Sequence, residues 1–307
     1  GVQTCALPIS ISDSNTNAVG ARQRDIMLTP NPQAGGAFWA EGLYNMVQNS
    51  GGTKYSGNGE GGSFGVEYAN NQGHIGAAFT FFRGNADEKS SRTASSNVQW
   101  YMFSPYAGIR AGNAFIDGQI NVGAGQVRNE RTVDTGTVTR VATGTIKEQF
   151  VTGGLTGGYV FNLGSFQIAP EASITGMYLG DNNYKEHGGG DGVDLSVSAR
   201  SMTAMTAFFG VAGQGSYDSF GRRLTPHFLG GWSHDIVQDA PDINAFFTSV
   251  PSSAFSVTGP TIDRSQFVGA ASVGFAWNRW NFGLGYNASV WSNAISQTAN
   301  FSAIRRF

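Results

Sequence analysis

Charge is scarce in this chain. Only 13% of its 307 residues are Asp, Glu, Lys or Arg, about half the share found in ordinary soluble domains. A disordered chain is excluded as well, because aromatics reach 12% with 22 Phe, and solvating segments lack them. Lysine is the rarest charge, 4 residues against 15 Arg. A formal net charge of −2 and an isoelectric point near 6.1 offer nothing to a nucleic acid. Cysteine is nearly absent: Cys5 stands alone, which excludes an internal disulfide and fits an oxidising cell envelope. No stretch approaches the roughly 18 to 20 apolar residues of a membrane helix. Residues 1–10 have no basic n-region or long apolar core and do not read as a signal peptide. Their composition and pattern differ from the rest of the chain, consistent with a gene-fragment edge rather than native sequence. An exported precursor then needs its signal upstream, and the chain is expected to be the carboxy-terminal piece of something longer.

What the chain does have is glycine, 44 residues of it, and a two-residue period from Phe38 to the end. If lipid is the solvent and no helix can span, a closed barrel is the remaining solution. The spacing predicts twelve strands, at about 37–47, 62–70, 73–83, 98–110, 114–127, 146–162, 166–180, 194–215, 223–237, 264–277, 280–291 and 294–307. Turn-forming residues at 70–73, 111–113, 162–165, 218–221 and 278–279 make short connections. Longer polar stretches near 48–61, 84–97, 128–145, 181–193 and 238–263 alternate with them, as in outer-membrane barrels. Residues 1–36 read as a linker holding a short helix at 18–28, stopped by Pro30 and Pro32 and expected in or near the lumen. Residues 37–307 form the barrel.

Alternation is cleanest near the end and assigns faces. Phe267, Val273, Phe275, Phe282, Leu284 and Val290 are expected to face lipid, and Ser272, Gly274, Gly283, Gly285 and Asn287 to face the lumen. Trp277, Trp280, Phe282 and Tyr286 lie where an interfacial aromatic girdle is expected. The terminal strand places Ala299, Phe301, Ala303 and Phe307 on its apolar face and Asn300, Ser302 and Arg306 on the other. Phe79-Thr80-Phe81-Phe82 and Trp100-Tyr101-Met102-Phe103 are apolar on both faces, so the strand boundaries there are set only to within about two to four residues.

Several ordered pieces carry a family resemblance across residues 37–307. They are Phe38-Trp39-Ala40-Glu41-Gly42-Leu43, then Leu224-Thr225-Pro226-His227-Phe228-Leu229-Gly230-Gly231-Trp232-Ser233-His234-Asp235, then Ala254-Phe255-Ser256-Val257-Thr258-Gly259-Pro260, and the terminal Phe301 to Phe307. In their order and spacing they resemble the translocator, or β-domain, of monomeric autotransporters of Gram-negative bacteria, the type V secretion system. The resemblance implies a twelve-stranded outer-membrane barrel, threaded by a helix, that exports and anchors an upstream passenger. It also implies that the last strand, with Phe301, Ala303 and Phe307, is the assembly signal read by the barrel-assembly machinery. Ser233 and Arg305 depart from the family's usual residues.

Chemical motifs are weak by comparison. His234 and Asp235 are adjacent on a strand and point to opposite faces, so they do not form a base and its orienting carboxylate. Lys185, Glu186, His187, Asp191 and Asp194 around Gly188-Gly189-Gly190 match no metal-ligand spacing and read as a solvated loop. Gly123-Ala124-Gly125 and Gly213-Gln214-Gly215 lack the strand-loop-helix unit of a phosphate loop and read as close-approach positions. Asn15 and Asn17 lie in the linker without a paired-asparagine motif. No enzyme, cofactor or metal is expected. The expected partners are outer-membrane lipid, the assembly machinery and the chain's own passenger, for a monomer with its carboxy terminus in the periplasm. The alternative is a porin-like channel for small solutes.

Overall fold

The computed structural model describes residues 18–30, 32–51, 54–89, 94–134, 136–219, 221–239, 242–257 and 263–307. Cys5, Asn15, Asn17 and the remnant expected at 1–10 lie outside the described residues. Twelve antiparallel strands form a cylinder: β1 (Gly35–Asn49), β2 (Tyr55–Asn70), β3 (Gly73–Glu88), β4 (Ala94–Ala111), β5 (Ala114–Asp134), β6 (Thr139–Tyr159), β7 (Phe166–Asp181), β8 (Arg200–Gly215), β9 (Arg222–Asp239), β10 (Ser265–Trp277), β11 (Trp280–Val290) and β12 (Ala294–Arg306). It closes where β12 pairs with β1, in register from Ala37↔Arg306 to Asn49↔Ala294. Closure leaves no strand edge to meet hydrocarbon unpaired, which is what lets a sheet sit in a bilayer. None of the described helices is long and apolar enough to cross a membrane.

The expected strand order and the short turns hold, but three expected loops do not. Much of 48–61, 84–97 and 128–145 is strand. β5 and β6 reach 21 residues each, twice the roughly 9 to 11 needed to cross a bilayer. These polar stretches keep pairing beyond the apolar band, because a ladder satisfies backbone groups in water as well as in lipid. The strand expected at 194–215 starts at Arg200. Leu195–Val197 instead joins Tyr184–Lys185, Ile243–Phe247 and Val250–Val257 in a separate four-stranded sheet at the long-loop end.

Burial alternates along β4 without interruption from Ser96 to Ile109. The doubly apolar segments are thereby explained. Tyr101 and Phe103 point outward, while Trp100 and Met102 point in and join Phe82, Val98, Ile146 and Phe150 in an apolar cluster inside the barrel. Glycine makes that interior possible: a Cβ on Gly123 would overlap the Phe150 ring. The Gly-Xaa-Gly pattern at 123–125 therefore serves packing.

Candidate functional site

The site is the lumen, occupied at its short-turn half by the helix over 18–28. The sequence places Val19, Arg22, Gln23, Ile26 and Met27 at helical spacing, and all are buried. Met27 and Leu28 pack with Phe115, Val160, Ala169 and Ala212 beside the short turns. Val19 packs higher, with Trp39, Ala78 and Tyr106. The amino-terminal end of the helix accordingly points toward the long-loop end.

Two guanidiniums fix the helix to opposite walls. Arg22 pairs with Glu67 of β2, with Nε donating at 3.1 Å, and also pairs with Asp25 one turn on. The Tyr106 hydroxyl donates to the same Glu67 carboxylate at 3.0 Å, and Trp39 Nε1 donates to the Tyr106 oxygen at 2.8 Å. Arg24 holds Glu171 of β7 in a bidentate fork, Nε at 2.9 Å and a terminal nitrogen at 2.6 Å. The Gln23 amide donates to the Gly118 carbonyl at 3.1 Å, and Arg110 donates to the Thr29 carbonyl at 3.3 Å. Forked guanidinium–carboxylate pairs impose orientation as well as attraction. Removing one partner of such a buried pair costs roughly 3–5 kcal/mol, because the other charge is stranded. Arg22→Ala is therefore expected to loosen the helix while the barrel stays closed, read as faster hydrogen exchange confined to residues 18–28.

Between those two walls the lining is made of small and polar side chains, and His227 of β9 approaches Asp25 of the helix at 3.6 Å. Ser272, Gly274, Gly283, Gly285 and Asn287, with Asn300 and Ser302, line a cavity of about 870 Å³ between the helix and β9–β12. On the other face of the same strands Phe267, Val273, Leu284 and Val290 are exposed on the outside of the cylinder, and Phe275 and Phe282 share that face half-buried among neighbouring rings. Phe301 and Phe307 are exposed and Ala303 is half-buried on the outer face of β12. Phe307 also stacks near Phe38, centroids 5.0 Å apart, and its backbone exchanges hydrogen bonds with Gly36.

The other motifs resolve into structure. His234 faces out, stacked on Trp232 and 2.9 Å from Ser265 Oγ, while Asp235 accepts from Thr206 Oγ1 at 2.7 Å. The loop expected to be solvated at 181–193 is instead pinned. Arg131 forks onto Glu186 and donates to the Val193 carbonyl at 2.8 Å, and Thr143 and His187 form a bridge. Asp194 accepts from the Gly189 and Gly190 amides. Burial against this loop pushes the Tyr184 hydroxyl up. Arg131→Ala is expected to expose the 182–199 segment to trypsin and leave the heat-modifiable migration of the barrel unchanged.

Sequence reasoning missed Arg22, Arg24, Glu67 and Glu171. The signal was present: Glu67 is the one charge in the apolar-alternating segment predicted at 62–70, and a carboxylate placed there marks an inward functional position by default.

A barrel whose lumen holds a helix from the chain's own amino-terminal side matches the family picture, and the sequence comparison decides it. The model of the autotransporter beta-domain matches residues 38–287. The chain belongs to this autotransporter family. Its fold is similar to the translocator domain of the autotransporter NalP from Neisseria meningitidis, at a TM-score of 0.75 and 14% identity over 96% of this chain and 97% of that one. It is also similar to the beta domain of the Bordetella autotransporter BrkA, at 0.63 and 15% identity over 89% and 100%. The monoaromatic hydrocarbon channel CymD is less similar, at 0.54 and 10% identity over 93% of each chain. No curated protein sequence matches significantly. The protein is thus an outer-membrane translocator barrel of a Gram-negative bacterium, and autotransporter membership implies a passenger upstream.

Proposed function

We propose that the autotransporter barrel sits with its short turns and carboxy terminus in the periplasm and its long loops at the cell surface, and that it carries its passenger outward through the lumen and then holds it there. Residues 1–36 act as the tether, and 37–307 as the pore and anchor. The observation that carries this reading is the helix over 18–28, clamped by Arg22–Glu67 and Arg24–Glu171 with its amino-terminal end toward the long loops. A chain joined upstream of such a helix leaves on the surface side. Buried ion pairs that hold the helix across the bore suit a tether kept in place after export. The barrel itself performs no covalent chemistry in this reading and works as a monomer without a cofactor.

Lipid would cover the face bearing Phe267, Val273, Phe275, Phe282, Leu284 and Val290, and the face bearing Ser272, Gly274, Gly283, Gly285 and Asn287 would contact the passing chain. Arginine at the bilayer midplane costs roughly 2–4 kcal/mol on a lipid face and far less in a lumen. Leu284→Arg is expected to lower the yield of folded barrel in vesicles sharply, and Asn287→Arg only slightly. Equal losses in the two variants would overturn these faces. Protease shaving of intact cells bearing a tag upstream of residue 18 tests the proposal as a whole: loss of the tag supports it, and protection of the tag contradicts it.

A further inference from the structure

We propose that the short-turn rim of β9–β12 binds the phosphate headgroup of an anionic glycerophospholipid, in a bracket made by Arg222, Trp277, Trp280 and Arg305. The four residues share one outward row on adjacent strands. Trp277 pairs directly with Trp280, and Trp280 with Arg305. Arg222 lies over the Trp277 ring at 5.5 Å and Arg305 over the Trp280 ring at 5.6 Å. Two aromatic faces thus hold two guanidiniums at the flanks of one platform, and cation–π contact keeps each planar fork oriented. Arg279 occupies the two-residue turn that joins Trp277 to Trp280 and is exposed.

Three observations make this more than an interfacial belt. The cations are confined to one quarter of the rim: the other short turns carry Asn71-Gln72, Gly112-Asn113 and Gly164-Ser165, and Arg110 beside them is turned inward onto Thr29. Among the described residues no carboxylate pairs with any of the three outward guanidiniums, whereas Asp218 on the adjoining hairpin is already paired with Arg223 at 3.7 Å. Directly beyond the Trp pair the outer face continues as Phe282, stacked on Trp280 at 6.0 Å, with Phe275 and Phe301 against it at 5.4 and 6.2 Å. A phosphate diester between the guanidiniums would lay its acyl chains on that slab. Forked guanidiniums suit phosphate oxygens, and the aromatic level is where headgroups sit. Arg305, a departure from the family's terminal strand, acquires a role here.

The test uses the full chain refolded in detergent micelles and native mass spectrometry, with phosphatidylglycerol and phosphatidylcholine offered together. The expected result is preferential retention of phosphatidylglycerol, with binding falling roughly fivefold for each guanidinium removed in Arg222→Gln and Arg305→Gln. Arg83→Gln, an outward arginine at the other end of the wall, should leave the preference intact. Arg279→Gln, in an exposed turn, gives a readout even if a strand variant does not fold. Unchanged preference in the folded variants, an equal loss in Arg83→Gln, or displacement of the lipid by inorganic phosphate at matched concentration would each overturn the proposal. The readout needs neither passenger nor assembly machinery, so it stands or falls separately from the secretion function proposed above.

Discussion

Deleting Phe307, or changing Phe301 to Asp, is expected to leave the autotransporter barrel unassembled in the periplasm and to abolish surface display of anything fused upstream. The closing seam is the reason. β12 pairs along its whole length with β1, and before closure its edge is a row of unpaired backbone groups, the natural template for strand addition by an insertion machine. Phe307 sits against Phe38 and, through Gly36, completes the last backbone pairing of the seam. A Cβ on Gly36 would lie 2.6 Å from the Phe307 ring, so that glycine is fitted to the terminal aromatic. Phe301 continues the outer row and stacks on Phe282. A carboxylate there would have to enter hydrocarbon beside an aromatic ring. Heat-modifiable migration and antibody labelling of whole cells check the outcome. Wild-type behaviour of both variants would remove the last strand from the assembly account.

The second large effect concerns the plug. Deleting residues 1–34 is expected to raise the single-channel conductance of the reconstituted barrel several-fold, because an α-helix with its side chains fills a bore of about 10–12 Å. Glu67→Ala combined with Glu171→Ala should do the same intermittently, as flickering openings, since both clamps to the walls are lost while the strands keep their ladder. The apolar cluster around Trp100 and Phe150 and the four-stranded loop sheet remain in these variants, so the opened state should conduct less than a bare twelve-stranded cylinder.

Much of the barrel was legible because the physics that builds it is periodic. Alternation, turn residues and the lack of apolar helices point to twelve strands and their order, and a helix-compatible run stopped by Pro30 and Pro32 points to the helix at 18–28. Four features were not legible. Polar β5 and β6 outside the bilayer lose the greasy face that marks a strand, so their outer ends read as a loop although they stay paired, from Arg128↔Thr145 to Asp134↔Thr139. The inner apolar cluster broke the expected wet face, since a lumen wall at Phe82 and Met102 packs against side chains from across the barrel rather than water. The clamps at Arg22–Glu67 and Arg24–Glu171 join residues 45 and 147 positions apart, and no local pattern reports such a distance. In the loops, the pairing of Leu195–Val197 with Ile243–Phe247 likewise joins segments from two different connections.

Outward export is tested by the location of an epitope placed immediately upstream of residue 18 in cells that assemble the barrel. Added protease is expected to remove the epitope from intact cells, while the folded barrel survives and a periplasmic marker stays untouched. An epitope that is cut only after the outer membrane is permeabilised, in cells whose barrel shows normal heat-modifiable migration, would contradict it.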